Sequence, residues 1–143
     1  MKVALERVNG AFHFQVKNER GYVVDLDKRV EQGGSDLGAS PMELLLMGVA
    51  GCSAIDMISI LQKQRQEVTS YKTEVEGERE KIGEASPFKK IHCTIYLEGD
   101  IVLEKALKAA KLSFEKYCSV SKTLEPTATV TYGVVVNDKA IQL

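Results

Sequence analysis

The 143-residue chain is poor in several of the features that announce a function at once. It has no C-x-x-C pair, and its three cysteines, Cys52, Cys93 and Cys118, are an odd number set far apart, which rules out a disulfide framework. Two histidines, His13 and His92, are too few and too scattered for a recognisable zinc motif, so neither a metal nor a cofactor is expected. Charge of one sign is not concentrated anywhere: 19 Lys and Arg face 20 Asp and Glu along the chain. Without a basic stripe to track phosphates, nucleic acid is not an expected partner.

The longest apolar run, Leu44 to Ile55, is twelve residues, where a bilayer needs about twenty. It therefore reads as a buried helix, and no membrane is expected as a partner. Met1 to Arg7 lacks the basic region, apolar run and cleavage site of a signal peptide, which points to the cytoplasm.

What is present is the alternation of a mixed α+β chain, read as a single domain over residues 1–143. Phe12, Phe14 and Val16, then Tyr22, Val24 and Leu26, alternate with polar neighbours as strands joined by a turn at Asn18 to Gly21. Gly33 to Gly38 reads as a flexible loop without the Lys-Ser or Lys-Thr of a phosphate loop. Ser40-Pro41-Met42-Glu43 opens a helix with a capping box, predicted to run to about Gln66 and, being apolar all round until Asp56, to lie at the centre of the structure. Gly48 and Gly51 weaken that helix and are expected to admit another backbone closely.

Tyr71, Thr73 and Val75 predict a strand, Gly83 to Pro87 a turn, and Ile91, Cys93, Ile95 and Leu97 the clearest half-buried strand. Asp100 is expected to cap a second helix that continues through Leu103, Leu107, Ala110, Phe114, Tyr117 and Leu124 until Pro126 stops it. Val130 to Val136 predicts the last strand.

Of the three thiols, Cys93 lies on an apolar strand face, where an inert packing cysteine is expected. Cys52 sits in mid-helix among small residues, one turn before Asp56, so both share a face. An ionised Asp56 works against a thiolate there, so reactivity needs a cation, and packing and redox roles both stand. Cys118 lies near the end of the second helix, with Lys116 and Lys122 close in sequence to favour its thiolate. Spacing alone does not bring Cys52 and Cys118 together.

Three segments carry a resemblance: Gly38-Ala39-Ser40-Pro41-Met42-Glu43-Leu44-Leu45-Leu46, Ala50-Gly51-Cys52-Ser53-Ala54-Ile55-Asp56 and Glu115-Lys116-Tyr117-Cys118-Ser119-Val120. Over nearly its whole length the chain resembles the OsmC/Ohr family of osmotically induced and organic hydroperoxide resistance proteins, closest to the OsmC-like YhfA branch. The resemblance implies an α+β OsmC-like fold, an intertwined homodimer with antiparallel sheets packed around two central helices. It also implies a thiol-dependent hydroperoxide reductase without a cofactor. Cys52 would attack the peroxide, Cys118 would resolve the product to a disulfide, and a dithiol reductant would restore both.

The family's peroxidases hold the thiolate with an Arg paired to a Glu just after the helix-opening Pro. Here Met42 follows Pro41 and the carboxylate comes at Glu43, while the expected N-terminal Arg has no clear match: Arg7 is nearby, but Val8-Asn9-Gly10 stands at the best-aligned place. Glu43 lies about 180° around its helix from Cys52 and roughly 13 Å along it, so a catalytic part for Glu43 competes with its role in the capping box. Arg79 is the candidate substitute cation, against a plain solvated arginine at a strand end. The alternative function is a non-catalytic OsmC-fold dimer that binds a small molecule or responds to redox state, and a third is a dimer whose cysteines only pack.

Overall fold

A computed structural model describes residues 1–142, which group into two compact units divided between Leu45 and Leu46. In the first unit, β1 (Val3–Arg7), β2 (Phe14–Asn18) and β3 (Val23–Leu26) form an antiparallel sheet in the order β1-β2-β3. The register places Leu5 opposite Val16 and Val16 opposite Val24, so the apolar alternates share one face. The turn at Asn18 to Gly21 forms as expected: the Gly21 amide donates to the Asn18 carbonyl at 3.0 Å, and Gly21 adopts φ 85°.

The segment after β3 is built rather than loose. Buried Asp27 accepts hydrogen bonds from the amides of Lys28 at 2.7 Å and of Ser35 and Leu37 at 3.2 Å each. The flexible loop expected at Gly33 to Gly38 is thereby pinned at two points, Ser35 and Leu37. Gly38 is required in it, because a β-carbon there would strike the Asp25 backbone.

The helix α1 (Pro41–Lys63) opens as its sequence dictates. The Ser40 amide donates to Glu43 Oε2 at 2.7 Å and the Glu43 amide donates to Ser40 Oγ at 3.3 Å, a reciprocal capping box. It stops three residues before the predicted end. Arg65 takes a left-handed conformation, φ 55°, with its amide on the Gln62 carbonyl and the Gln66 amide on the Leu61 carbonyl, a Schellman closure. By length and composition α1 is apolar enough to cross a membrane, so counting only Leu44 to Ile55 understated it.

The expectation that α1 is central holds for one face. Val49, Ser53, Met57 and Leu61, spaced by four, are buried, while Met47 and Ile55 on the opposite side are 55% and 70% exposed. The close backbone approach expected at Gly48 is not found: a β-carbon there would meet only the Val120 side chain, at an ordinary contact of 3.4 Å. Gly51 has nothing within 4 Å of where a β-carbon would stand.

In the second unit, β4 (Glu67–Arg79), β5 (Phe88–Asp100), β6 (Thr129–Val136) and β7 (Lys139–Gln142) form a sheet in that order. β4 and β5 pair antiparallel, as do β6 and β7, but β5 and β6 run parallel, joined across the sheet by helices α2 (Leu103–Leu112) and α3 (Ser119–Leu124). Ile91, Cys93, Ile95 and Leu97 of β5 are buried as their alternation predicted. The hairpin into β7 went unread: Asn137 and Asp138 both take positive φ, a two-residue turn whose Asn-Asp sequence was its signal.

Asp100 does not cap the second helix. It is the last residue of β5, paired with Glu67, and the Asn137 side chain holds both polar backbone groups of Gly99 at 3.0–3.1 Å, keeping the strand extended. The helix starts at Leu103 and is not continuous. Ser113 to Tyr117 widen into a π turn, closed by the Cys118 amide on the Ser113 carbonyl at 2.7 Å, and Cys118 itself is extended, φ −66° and ψ 96°.

Candidate thiol site

Cys52 comes from the middle of α1, and Cys118 from the break between the π turn and α3. The widened turn stands directly before Cys118, and such π turns, though rare, are frequent at functional sites. Here it points Cys118 inward, where it is fully buried beside α1. Small residues allow the approach: Ala106, Ala109, Ala110 and Ser113 form the buried stripe of the α2 segment, and the Ser113 hydroxyl lies 3.5 Å from the Ser53 carbonyl.

The structure therefore brings together the two thiols that sequence spacing left apart. The sulfurs of Cys52 and Cys118 and a carboxylate oxygen of Asp56 all lie within 4.8 Å of one another. No disulfide joins the thiols, and they differ in access: Cys52 is half-buried, Cys118 buried. Two of the three groups have a hydroxyl partner. Ser121 Oγ donates to Cys118 Sγ at 3.1 Å, and Ser113 Oγ donates to Asp56 Oδ2 at 3.4 Å. Neither serine was singled out from the sequence; Ser121, three residues after Cys118, stands at cap spacing and was readable, whereas Ser113 left no signal.

Burial pushes the Cys118 thiol up, against the opposing hydrogen bonds from Ser121, and neighbouring Cys52 adds to the rise. Asp56 is also raised by burial, with the Ser113 hydrogen bond opposing. Lys122 is occupied by Glu125 at 3.0 Å and Lys116 lies over the Tyr117 ring, so the expectation that they favour the Cys118 thiolate is not met.

Arg79 stands at the end of β4, where its Nε donates to the Ser86 carbonyl at 2.6 Å across the turn. Glu43 is engaged by Ser40 and lies 3.7 Å from Arg29, and the Ser40 hydrogen bonds are the main reason its carboxyl is held below the usual range. Cys93 is the inert comparison: burial pushes it to about 12. Behind it the Tyr71 and Thr73 hydroxyls are buried without a well-formed hydrogen bond.

Two cysteine segments on a mixed α+β frame also match a known sequence pattern, that of the OsmC-like proteins, over residues 33–133. The chain belongs to the OsmC-like family. This OsmC-like chain is 38% identical to protein YhfA of Escherichia coli over 107 residues, 73% of this chain and 78% of that one. Its fold matches that of a hypothetical protein from Aquifex aeolicus, with a TM-score of 0.77, 30% identity and coverage of 95% and 96% of the two chains. An organic hydroperoxide resistance protein OsmC from Legionella pneumophila shares the fold at 18% identity and a TM-score of 0.67, covering 94% and 96%.

Proposed function

We propose that the protein is a thiol-dependent hydroperoxide reductase in which Cys52 attacks and Cys118 resolves. The observation that carries the reading is the unequal thiol pair: two free sulfurs within 4.8 Å, one half-buried and one sealed. The difference in exposure supports an order in which Cys52 meets the oxidant first and Cys118 follows. The organic hydroperoxide resistance proteins that share the fold support the choice of oxidant.

The Cys52 thiolate attacks the terminal hydroxyl oxygen of the hydroperoxide; the O–O bond breaks, the alkoxide takes a proton, and Cys52 becomes a sulfenic acid. The Cys118 sulfur then displaces hydroxide, which leaves as water with the Cys118 proton, and the Cys52–Cys118 disulfide forms. A dithiol reduces that bond by two exchange steps and leaves as its own disulfide. In this reading one domain spans the chain and works in the cytoplasm, where thiols are kept reduced. It works as a homodimer, because the stripe of Met47, Gly51 and Ile55 on α1 offers an apolar helix face to a second copy.

The test is stopped-flow oxidation of the reduced protein by cumene hydroperoxide beside hydrogen peroxide. Wild type should form the disulfide, a mass loss of about 2 Da. Cys118→Ser should stop at a sulfenic acid that dimedone traps on Cys52, and Cys52→Ser should consume no peroxide above buffer. Equal rates for wild type and Cys52→Ser would sink the assignment.

A second reading is favoured by one observation: among the described residues, the groups that act on Cys118 and Asp56 include no cation, and Arg79 is held by Ser86. A redox-responsive or small-molecule-binding dimer needs no stabilised thiolate. It is distinguished by a disulfide that forms only slowly with any peroxide.

A further inference from the structure

We infer that Cys52, Asp56 and Cys118 form a binding site for one zinc-class divalent cation, held by two thiolates and one carboxylate. The site does not depend on the peroxide chemistry, since it rests on where the three ligand atoms stand.

Their mutual spacing is the first argument. All three lie within 4.8 Å of one another. A tetrahedral ion with metal–sulfur bonds of about 2.3 Å and metal–oxygen bonds of about 2.0–2.2 Å holds its ligands roughly 3.5–3.8 Å apart. Cys52 and Asp56 are one turn apart on α1, the i, i+4 spacing by which one helix face supplies two ligands to a metal. The extended residue after the π turn supplies the third from across the interface.

The second argument is the outer ring of hydrogen bonds. Metal ligands are characteristically oriented by partners of their own. Ser121 Oγ donates to Cys118 Sγ at 3.1 Å and Ser113 Oγ to Asp56 Oδ2 at 3.4 Å, so two of the three ligands already have one.

The third is charge. Three acidic groups converge in a part-buried place, and the nearby lysines are engaged elsewhere, Lys122 by Glu125 and Lys116 over Tyr117. A half-buried carboxylate beside two sulfurs is costly without a positive partner. A dication provides one and releases the two thiol protons as it binds. Sulfur selects the ion: calcium and magnesium require oxygen ligands, whereas two thiolates with one carboxylate suit zinc or cobalt(II). Three protein ligands leave a fourth position for water or another small ligand. Occupancy uses the same sulfur electron pairs that would attack a peroxide, so bound metal and thiol oxidation exclude each other.

Anaerobic titration of the reduced full-length protein with cobalt(II) tests this, followed by displacement with zinc. We expect one ion per chain, a thiolate-to-cobalt charge-transfer band and the intense visible bands of tetrahedral cobalt. Cys52→Ser and Cys118→Ser should each weaken binding at least about 100-fold and reduce the charge-transfer band. Asp56→Asn should weaken binding roughly 10–100-fold while keeping that band, and Cys93→Ala should change neither. Should a variant not fold, as judged by circular dichroism, alkylation of wild type decides: zinc should slow labelling of the half-buried Cys52, and unslowed labelling at saturating zinc overturns the site. No stoichiometric binding, an octahedral spectrum, or full affinity in folded Cys52→Ser overturns the site. Because the readout is absorbance and not turnover, a protein that binds cobalt but ignores peroxide would refute the reductase reading alone.

Discussion

The sheet of the first unit and the sheet of the second are written in the same alternating code and end in opposite states. Ile91, Cys93 and Ile95 of β5 have no exposed surface, while Val3 and Leu5 of β1 are 65% and 57% exposed. β5 is a central strand with a partner on each side, and a helical crossover joins it to β6. β1 is an edge strand whose five residues are all exposed. Alternation therefore declares which face seeks cover and leaves open what covers it. The same holds within α1, where the stripe through Val49 and Met57 is buried and the one through Met47 and Ile55 is not.

Substitutions that strike the two regions differently sharpen that contrast. Ile95→Ala, in the middle of β5, should lower stability by about 3 kcal/mol in urea unfolding, independent of protein concentration, because it leaves a cavity in a closed core. Ile55→Asp, on the open stripe, should instead turn a dimer into a monomer in sedimentation velocity; an unchanged sedimentation coefficient would break the reading of that face as a self-interface. In the first unit the buried polar anchor matters more than the exposed apolar face. Asp27→Ala strips the acceptor from three amides and should cost about 2 kcal/mol, with faster hydrogen exchange at Ser35 and Leu37.

A smaller effect tests the site. Asp56 has its carboxyl raised above the ordinary value of 3.8, first by burial, so the folded state binds that proton more tightly than the unfolded chain. Stability from this group is fullest below pH 3.8 and is lost as pH rises through the raised value. Asp56→Asn should accordingly melt higher than wild type at pH 7 in the metal-free protein, and the advantage should vanish below pH 3.8. The smallest change expected is at Arg65, whose φ of 55° closes α1: Arg65→Gly removes the left-handed strain and should stabilise by about 0.5–1 kcal/mol.

Most of the secondary structure was legible because it rests on local chemistry. The capping box at Ser40 and Glu43, the turn at Asn18 and the alternation of β5 each depend on residues a few positions apart. The errors fell where distant partners decide. Asp100 stayed in its strand because Glu67 pairs with it and Asn137 clamps Gly99 next to it, and Gly33 to Gly38 is ordered by a carboxylate lying before it in sequence. The π turn carried no warning, as neither Gly nor Pro marks Ser113 to Tyr117.

The chain's own order of residues determined an α+β frame, a capped apolar helix bearing Cys52 one turn ahead of Asp56, and an inert Cys93, since periodicity and short-range hydrogen bonding set these. Only the tertiary structure decided that Cys118 meets them, for the meeting depends on a widened turn, small side chains along α2 and the packing of that turn on α1. Functional sites join residues remote along the chain, and no rule of spacing fixes a distance that packing alone creates.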